Sequence, residues 1–167
     1  MAISSGVHMH AQCISQSEAR SLVAKFVGIL GRTDRNAAST AQTILTQDFK
    51  EYSNSIFSLK GQSLTSSGLV ASSRQAYLEE IGGAPAPPRG IETLDIIASC
   101  DKVVWFWISQ NVGSGLQPVR GFNLFKVKRN RKGQWQAYSL DVEFDSIAWG
   151  VDIGIKVTYQ NGTVVPK

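Results

Sequence analysis

The sequence predicts an α+β domain in which helices pack on one face of a curved antiparallel sheet. Two observations carry that prediction. Between Gly90 and Gly150, four consecutive stretches are dense in β-branched and aromatic residues and are separated by turn signals. Ahead of them, two segments repeat apolar residues at helical spacing. A chain of 167 residues with 43% hydrophobic and 18% charged content is sized for one domain and buries a core without help from metals.

The expected divisions are a leader or disordered segment over 1–10, one domain over 11–155, and a tail or edge strand over 156–167. Met1 to Met9 lacks a charged region followed by an apolar one, so it reads as an expression-vector remnant and not as a secretory signal. The only two histidines, His8 and His10, fall in or beside it, which denies the body of the chain any histidine triad, base or metal site. Ser15-Gln16-Ser17-Glu18 then has the form of a capping box and opens a helix. Its apolar stripe is Ala19, Leu22, Val23, Phe26, Val27 and Leu30, ending near Gly31. Asp34 can cap a second helix to about Thr46, with a small-residue face suited to packing on the first. Phe49 to Phe57 is expected as a strand with Phe49 and Glu51 on one face and Tyr52 on the other. Leu59 to Ser73 is read as an exposed Ser/Gly-rich loop that can act as a lid. Ser72-Ser73-Arg74-Gln75 opens a short helix stopped by Gly82-Gly83, and Ala84-Pro85-Ala86-Pro87-Pro88 is a stiff extended connector. The four strands follow: Ile91 to Ser99, Lys102 to Asn111, Val119 to Arg129 and Gln134 to Phe144.

Charge and cysteine content narrow the partners. A net charge of +4, from 17 basic and 13 acidic residues, is too weak and dispersed to indicate nucleic acid. The basic run Lys126, Lys128, Arg129, Arg131 and Lys132 has no interleaved aromatic platform and reads as a solvated hairpin tip. No apolar run approaches the roughly 20 residues of a membrane span. Cys13 and Cys100 lack any CxxC spacing, so no zinc or iron–sulfur site is expected, and a disulfide or two buried thiols remain. A disulfide closing so long a loop is worth about 4 to 5 kcal/mol in the chain-entropy model and would imply an oxidising compartment. Asn161-Gly162-Thr163 is a glycosylation sequon compatible with secretion. Two localisations stand: secreted, with the native signal replaced by a leader, or cytoplasmic.

The order of elements, the length, and the stretches GIETLDIIASCDKVVWFW (Gly90 to Trp107), GFNLF (Gly121 to Phe125) and EFDSIAWGVDIG (Glu143 to Gly154) resemble the NTF2-like (SnoaL-like) superfamily, especially its small fungal members. The resemblance covers nearly all of Cys13 to Gly154. It implies a cone-shaped fold with an apolar pocket between sheet and helices. It also implies one of several activities, among them dehydratases, isomerases and cyclases (including pericyclases) of natural-product biosynthesis, beside many proteins without known catalysis. A pocket histidine pair cannot be present here, whereas an aspartate or glutamate base remains open. A homodimer through the outer sheet face is a further implication, and it agrees with Val104, Phe106 and Ile108 being apolar.

Side-chain alternation then selects pocket residues. Trp105 and Trp107 share a face of the second meander strand. On the third, Asn123 is a lone amide between Phe125 and Gly121, either satisfied by a neighbour or directed at a ligand. On the fourth, Asp141 and Glu143 share a face with Trp135, Ala137 and Ser139. If that face is inward they are proton-transfer groups of raised pKa, and if outward Glu143 pairs with Arg120. The hairpin register leaves both open. Asp145 is a helix cap, Trp149 is core and part of the binding wall, and Glu51, placed in the binding set, is a partner for a basic side chain in preference to a general base. The expected catalytic set is therefore Asn123, Asp141 and Glu143, and the binding set Glu51, Trp105, Trp107, Phe125 and Trp149. No cofactor or metal is called for. The expected function is binding of a hydrophobic small molecule with cofactor-independent cyclisation, isomerisation or dehydration. The alternative is a secreted, non-catalytic binding or interaction protein on the same fold.

Overall fold

The computed structural model describes residues 13–164. The expected leader, with both histidines, and the last three residues of the expected tail lie outside the described residues. The elements are α1 (Gln16–Leu30), α2 (Ala37–Ile44), β1 (Leu45–Tyr52), α3 (Asn54–Leu59), β2 (Leu69–Ala71), α4 (Arg74–Gly83), β3 (Arg89–Ser99), β4 (Lys102–Asn111), β5 (Val119–Arg129), β6 (Trp135–Phe144) and α5 (Ser146–Asp152). The strands form one six-stranded sheet in the order β2-β1-β6-β5-β4-β3. Only the β1–β6 pairing is parallel, so β3 to β6 make the expected antiparallel meander.

Helix α1 starts where the capping box places it. The Ser15 hydroxyl accepts from the Glu18 amide at 3.2 Å, and Glu18 Oε2 accepts from the Ser15 amide at 2.8 Å. Its buried stripe is Ala19, Leu22, Val23, Phe26 and Ile29, with the expected Val27 and Leu30 half-buried against the same core. Three ties hold the start of α1 to the β3–β4 hairpin. Cys13 and Cys100 form a disulfide, the Ile14 amide donates to Cys100 O at 3.1 Å, and Gln16 Nε2 donates to Ile96 O at 2.7 Å.

Four local expectations are corrected. Helix α2 begins after Asn36, because Asp34 Oδ1 accepts from the Asn36 amide in a turn before the helix, and it ends at Ile44 because Leu45 is already extended and paired with Ala137. The strand expected over Phe49 to Phe57 lies at Leu45–Tyr52 instead. The following Ser-Asn-Ser triplet caps a helix, with Ser53 Oγ accepting from the Ile56 amide at 3.0 Å. The expected loop over Leu59 to Ser73 contains the short strand β2, paired with β1. Finally, α4 is capped by Ser73, whose hydroxyl accepts from the Ala76 amide at 3.1 Å, and it includes both Gly82 and Gly83. Beyond α5, Thr158 and Val164 form an isolated bridge separate from the sheet. No helix among the described residues is long and apolar enough to cross a membrane.

A bulge in β6 decides which side chains face inward. Lys126 pairs with Ser139 but Val127 pairs with Ala137, leaving Tyr138 as the extra residue. The parity of β6 therefore switches at Tyr138. Ala137, Leu140 and Val142 all point into the core, and Asp141 and Glu143 point out. The outer sheet face is apolar but less covered than expected, since Ile97 and Phe122 keep more than half their surface exposed.

Replacing Cys13 and Cys100 by serine is expected to lower the unfolding free energy by about 2 to 5 kcal/mol. Chemical denaturation reads this directly, and an unchanged midpoint would contradict the tie between α1 and the sheet.

Candidate functional site

The inner face of the sheet is filled at one end and hollow at the other. Phe26 from α1 packs edge-on against Phe125 and Trp105, with ring centroids 4.9 and 6.1 Å apart, and stacks on Tyr77 at 5.7 Å. Beyond Trp107 that packing stops, and a cavity of about 730 Å³ opens between β1, β5 and β6, the helices α3 to α5 and the proline strap 84–88. Its volume suits a drug-sized organic molecule. The strap is held by Arg32, whose Nε donates to Ile81 O at 2.9 Å and whose guanidinium also reaches Ala84 O.

Trp107 forms the floor. Gly121, its cross-strand partner, makes room for the indole, because a Cβ there would lie 2.7 Å from Trp107 Cζ2. The indole Nε1 donates to Asn123 Oδ1 at 2.7 Å in a buried setting. An indole nitrogen can only donate, so this bond fixes the amide orientation and turns the Asn123 NH₂ group the other way. Asn123 is buried and lines the cavity.

Glu51 enters from β1, on the same inward face as Phe49. It is 4% exposed, it lines the cavity, and among the described residues its Oε2 has no hydrogen-bond partner. Burial pushes its carboxyl up to about 8, helped by the negative charge of Glu80 and opposed by the ammonium of Lys60. At neutral pH it is a carboxylic acid with a proton to give. The Tyr77 phenol, also buried and without a hydrogen-bond partner among the described residues, is raised well above its ordinary value by burial and by Glu51. Lys60 and Glu80 pair at 2.6 Å at the cavity rim.

A model of the NTF2-like domain matches residues 12–156. The chain belongs to the NTF2-like family. Solved structures of similar fold include an NTF2-like protein of unknown function from Burkholderia pseudomallei, 13% identical with a TM-score of 0.61, covering 84% of this chain and 99% of that one. A SnoaL-like protein of unknown function from Burkholderia thailandensis is 15% identical, with a TM-score of 0.54 and coverage of 80% and 99%. A Kribbella flavida protein, described provisionally as a ketosteroid isomerase, is 14% identical, with a TM-score of 0.55 and coverage of 77% and 78%. At these identities the likeness is one of fold. No curated protein matches the chain.

In this NTF2-like cone, four of the residues expected at the pocket line it together: Glu51, Trp107, Asn123 and Trp149. Trp105 and Phe125 lie instead in the filled end, where Trp105 Nε1 donates to Thr93 Oγ1 at 3.0 Å. Asp141 and Glu143 are corrected more sharply, because the bulge in β6 turns them outward. Asp141 pairs with Lys126 at 3.5 Å on the outer face. Glu143 accepts from the Asn54 and Ser55 amides at 2.8 and 2.9 Å, the place where a helix N-terminus favours negative charge. Sequence alternation missed Lys60, Glu80 and the strap as parts of the cavity wall, and Tyr77, in the filled layer, as a neighbour of Glu51. Tyr77 and Glu80 are three apart on α4, a spacing that puts them on one helix face.

The raised carboxyl has a consequence for stability. The folded state holds the Glu51 proton more tightly than the unfolded chain does, so its contribution is complete below about 4.5 and is lost as pH rises through about 8. Glu51→Gln is expected to flatten the fall in stability across that window and to exceed the parent at pH 9, by an amount of order a few kcal/mol. Denaturation at pH 5, 7 and 9 checks this, and parallel profiles for the two proteins would contradict it.

Proposed function

We propose that this NTF2-like protein binds a hydrophobic small molecule in the cone and acts on it without a cofactor, as a cyclase, isomerase or dehydratase of natural-product biosynthesis. The observation that carries the proposal is a buried Glu51, its carboxyl pushed up to about 8, in a largely apolar cavity that the amide of Asn123 also lines. Glu51 takes the proton-transfer role that side-chain alternation in the sequence offers to Asp141 and Glu143. The apolar body of the ligand packs on Trp107, Phe144 and Trp149. The NH₂ group of Asn123 donates to a carbonyl or developing oxyanion, Glu51 delivers its proton to the atom that gains electron density or to a leaving hydroxyl, and the carboxylate so formed takes up the proton that the substrate loses from carbon, which restores the acid. Holding one reactive conformer against the indole floor supplies a further part of the acceleration. The provisional isomerase description of the Kribbella flavida neighbour is compatible with this reading through fold alone.

A second reading is favoured by the disulfide: a secreted ligand-binding protein that performs no turnover. The apolar outer face, with Phe106 and Phe122 in ring contact at 5.6 Å, supports a homodimer contact under either reading.

The two readings separate in one experiment. Quenching of tryptophan fluorescence by a panel of polycyclic enones and hydroxyketones is expected to report saturable binding, with product formation that declines above pH of about 8 as Glu51 ionises. Glu51→Gln should keep binding and lose about 10²-fold or more in rate. Binding with no turnover of any compound would favour the second reading, and absence of binding would contradict both.

A further inference from the structure

Glu51 is the acid of the cavity, and the charges that face it come from few places. In the sheet its neighbours are Ala71 on β2 and Leu140 on β6, both apolar, while the next carboxylate on β6, Asp141, faces away with Lys126. From α4 come Tyr77, Glu80 and, on the cavity lining, Glu79, which accepts a hydrogen bond from Gln75 at 2.9 Å. From the C-terminal end of α3 comes Lys60. Lys60 and Glu80 meet at 2.6 Å, and both line the cavity while keeping about a third of their side-chain surface in solvent, at 37% and 29%.

We infer that Lys60 and Glu80 are positioning residues for Glu51: their ion pair ties α3 to α4 at the rim, and its two charges act on the buried carboxyl in opposite senses. The inference rests on the reading of Glu51 as the proton donor and adds how that donor is regulated. A carboxylate at Glu80 opposes a second negative charge at Glu51, and an ammonium at Lys60 favours one. Paired, the two largely cancel as seen from the cavity. Separated, they do not. A ligand group or solution ion that draws Lys60 away from Glu80 leaves the carboxylate unopposed and holds the proton on Glu51. One that neutralises Glu80 releases it. The rim is thus where ligand charge is sensed, and an uncharged or cationic group near Glu80 has a different effect on the acid from an anionic group near Lys60. Because the pair is part-exposed, solvent and salt weaken both effects.

The test uses opposite signs. The Glu51 side-chain carboxyl is followed by carbon NMR against pH, assigned by the signal missing from Glu51→Gln, in the parent protein and in Lys60→Met and Glu80→Gln. Glu80→Gln should move the midpoint down and Lys60→Met should move it up, each by about half a pH unit. A purely mechanical clasp predicts something else, since both substitutions break the same bridge and would shift Glu51 in the same direction through the same loosening. Movement in one common direction, or none, overturns the inference. The double variant Lys60→Met/Glu80→Gln provides a further check: removing both charges should return the midpoint toward the parent value, and a shift larger than either single variant would count against it. The readout needs no substrate, so a protein that proves to have no turnover loses the catalytic reading while this result stands.

Discussion

The packing of Phe26 into the sheet governs the shape of the whole molecule. The ring meets Trp105, Phe125 and Tyr77 together, and it is delivered there by α1, whose start is tied to the β3–β4 hairpin by a disulfide and two hydrogen bonds. Aromatic side chains of this size close one end of a curved sheet completely. The same curvature carries the other end of the sheet away from the helices, and α3, α4, α5 and the proline strap cover it without filling it. A cavity is the geometric remainder, and its floor is Trp107 because that residue stands one step past the filled layer.

Chemistry enters through what that remainder isolates. An apolar cavity cannot hold an ionised carboxyl cheaply, so Glu51 keeps its proton near neutrality. Asn123 is held differently: its oxygen accepts from the Trp107 indole, which fixes the amide orientation and turns the NH₂ group the other way. Under the proposed function, this acid and the Asn123 amide, which line the same apolar hollow from β1 and β5, are the groups that move a proton and hold an oxygen. The outward carboxylates serve architecture instead. Glu143 anchors the first turn of α3, the helix that ends in Lys60, and so acts on the site at one remove.

Much of this was legible from the amino-acid sequence, and the gaps have physical causes. Strands β3 to β6 announce themselves because β-branched and aromatic runs alternate with Gly, Pro and Asn turns. The capping box of α1 is equally readable, and the inward pairing of Phe49 with Glu51 follows from simple alternation. Alternation fails where a bulge intervenes. One extra residue at Tyr138 reverses the facing of Asp141 and Glu143, and no local pattern in β6 marks it, since both of its faces carry apolar residues. Likewise, Ser53-Asn54-Ser55 suits a strand end or a helix cap equally, and the deciding partner, Glu143, is 89 residues away from Asn54. Trp105 and Phe125 share the face of Trp107 and Asn123, but which pair lies in the filled layer depends on where Phe26 lands, a matter of tertiary packing alone. Lys60 and Glu80 join only when α3 and α4 are brought together.

The hollow beyond Trp107 can be probed with xenon. Xenon occupies apolar cavities of protein crystals and leaves packed interiors untouched. Diffraction from a xenon-pressurised crystal is predicted to show an atom between Trp107, Val142 and Trp149 and none between Phe26 and Phe125. A cavity region without xenon, with α4 and the proline strap collapsed onto the sheet, would contradict the account.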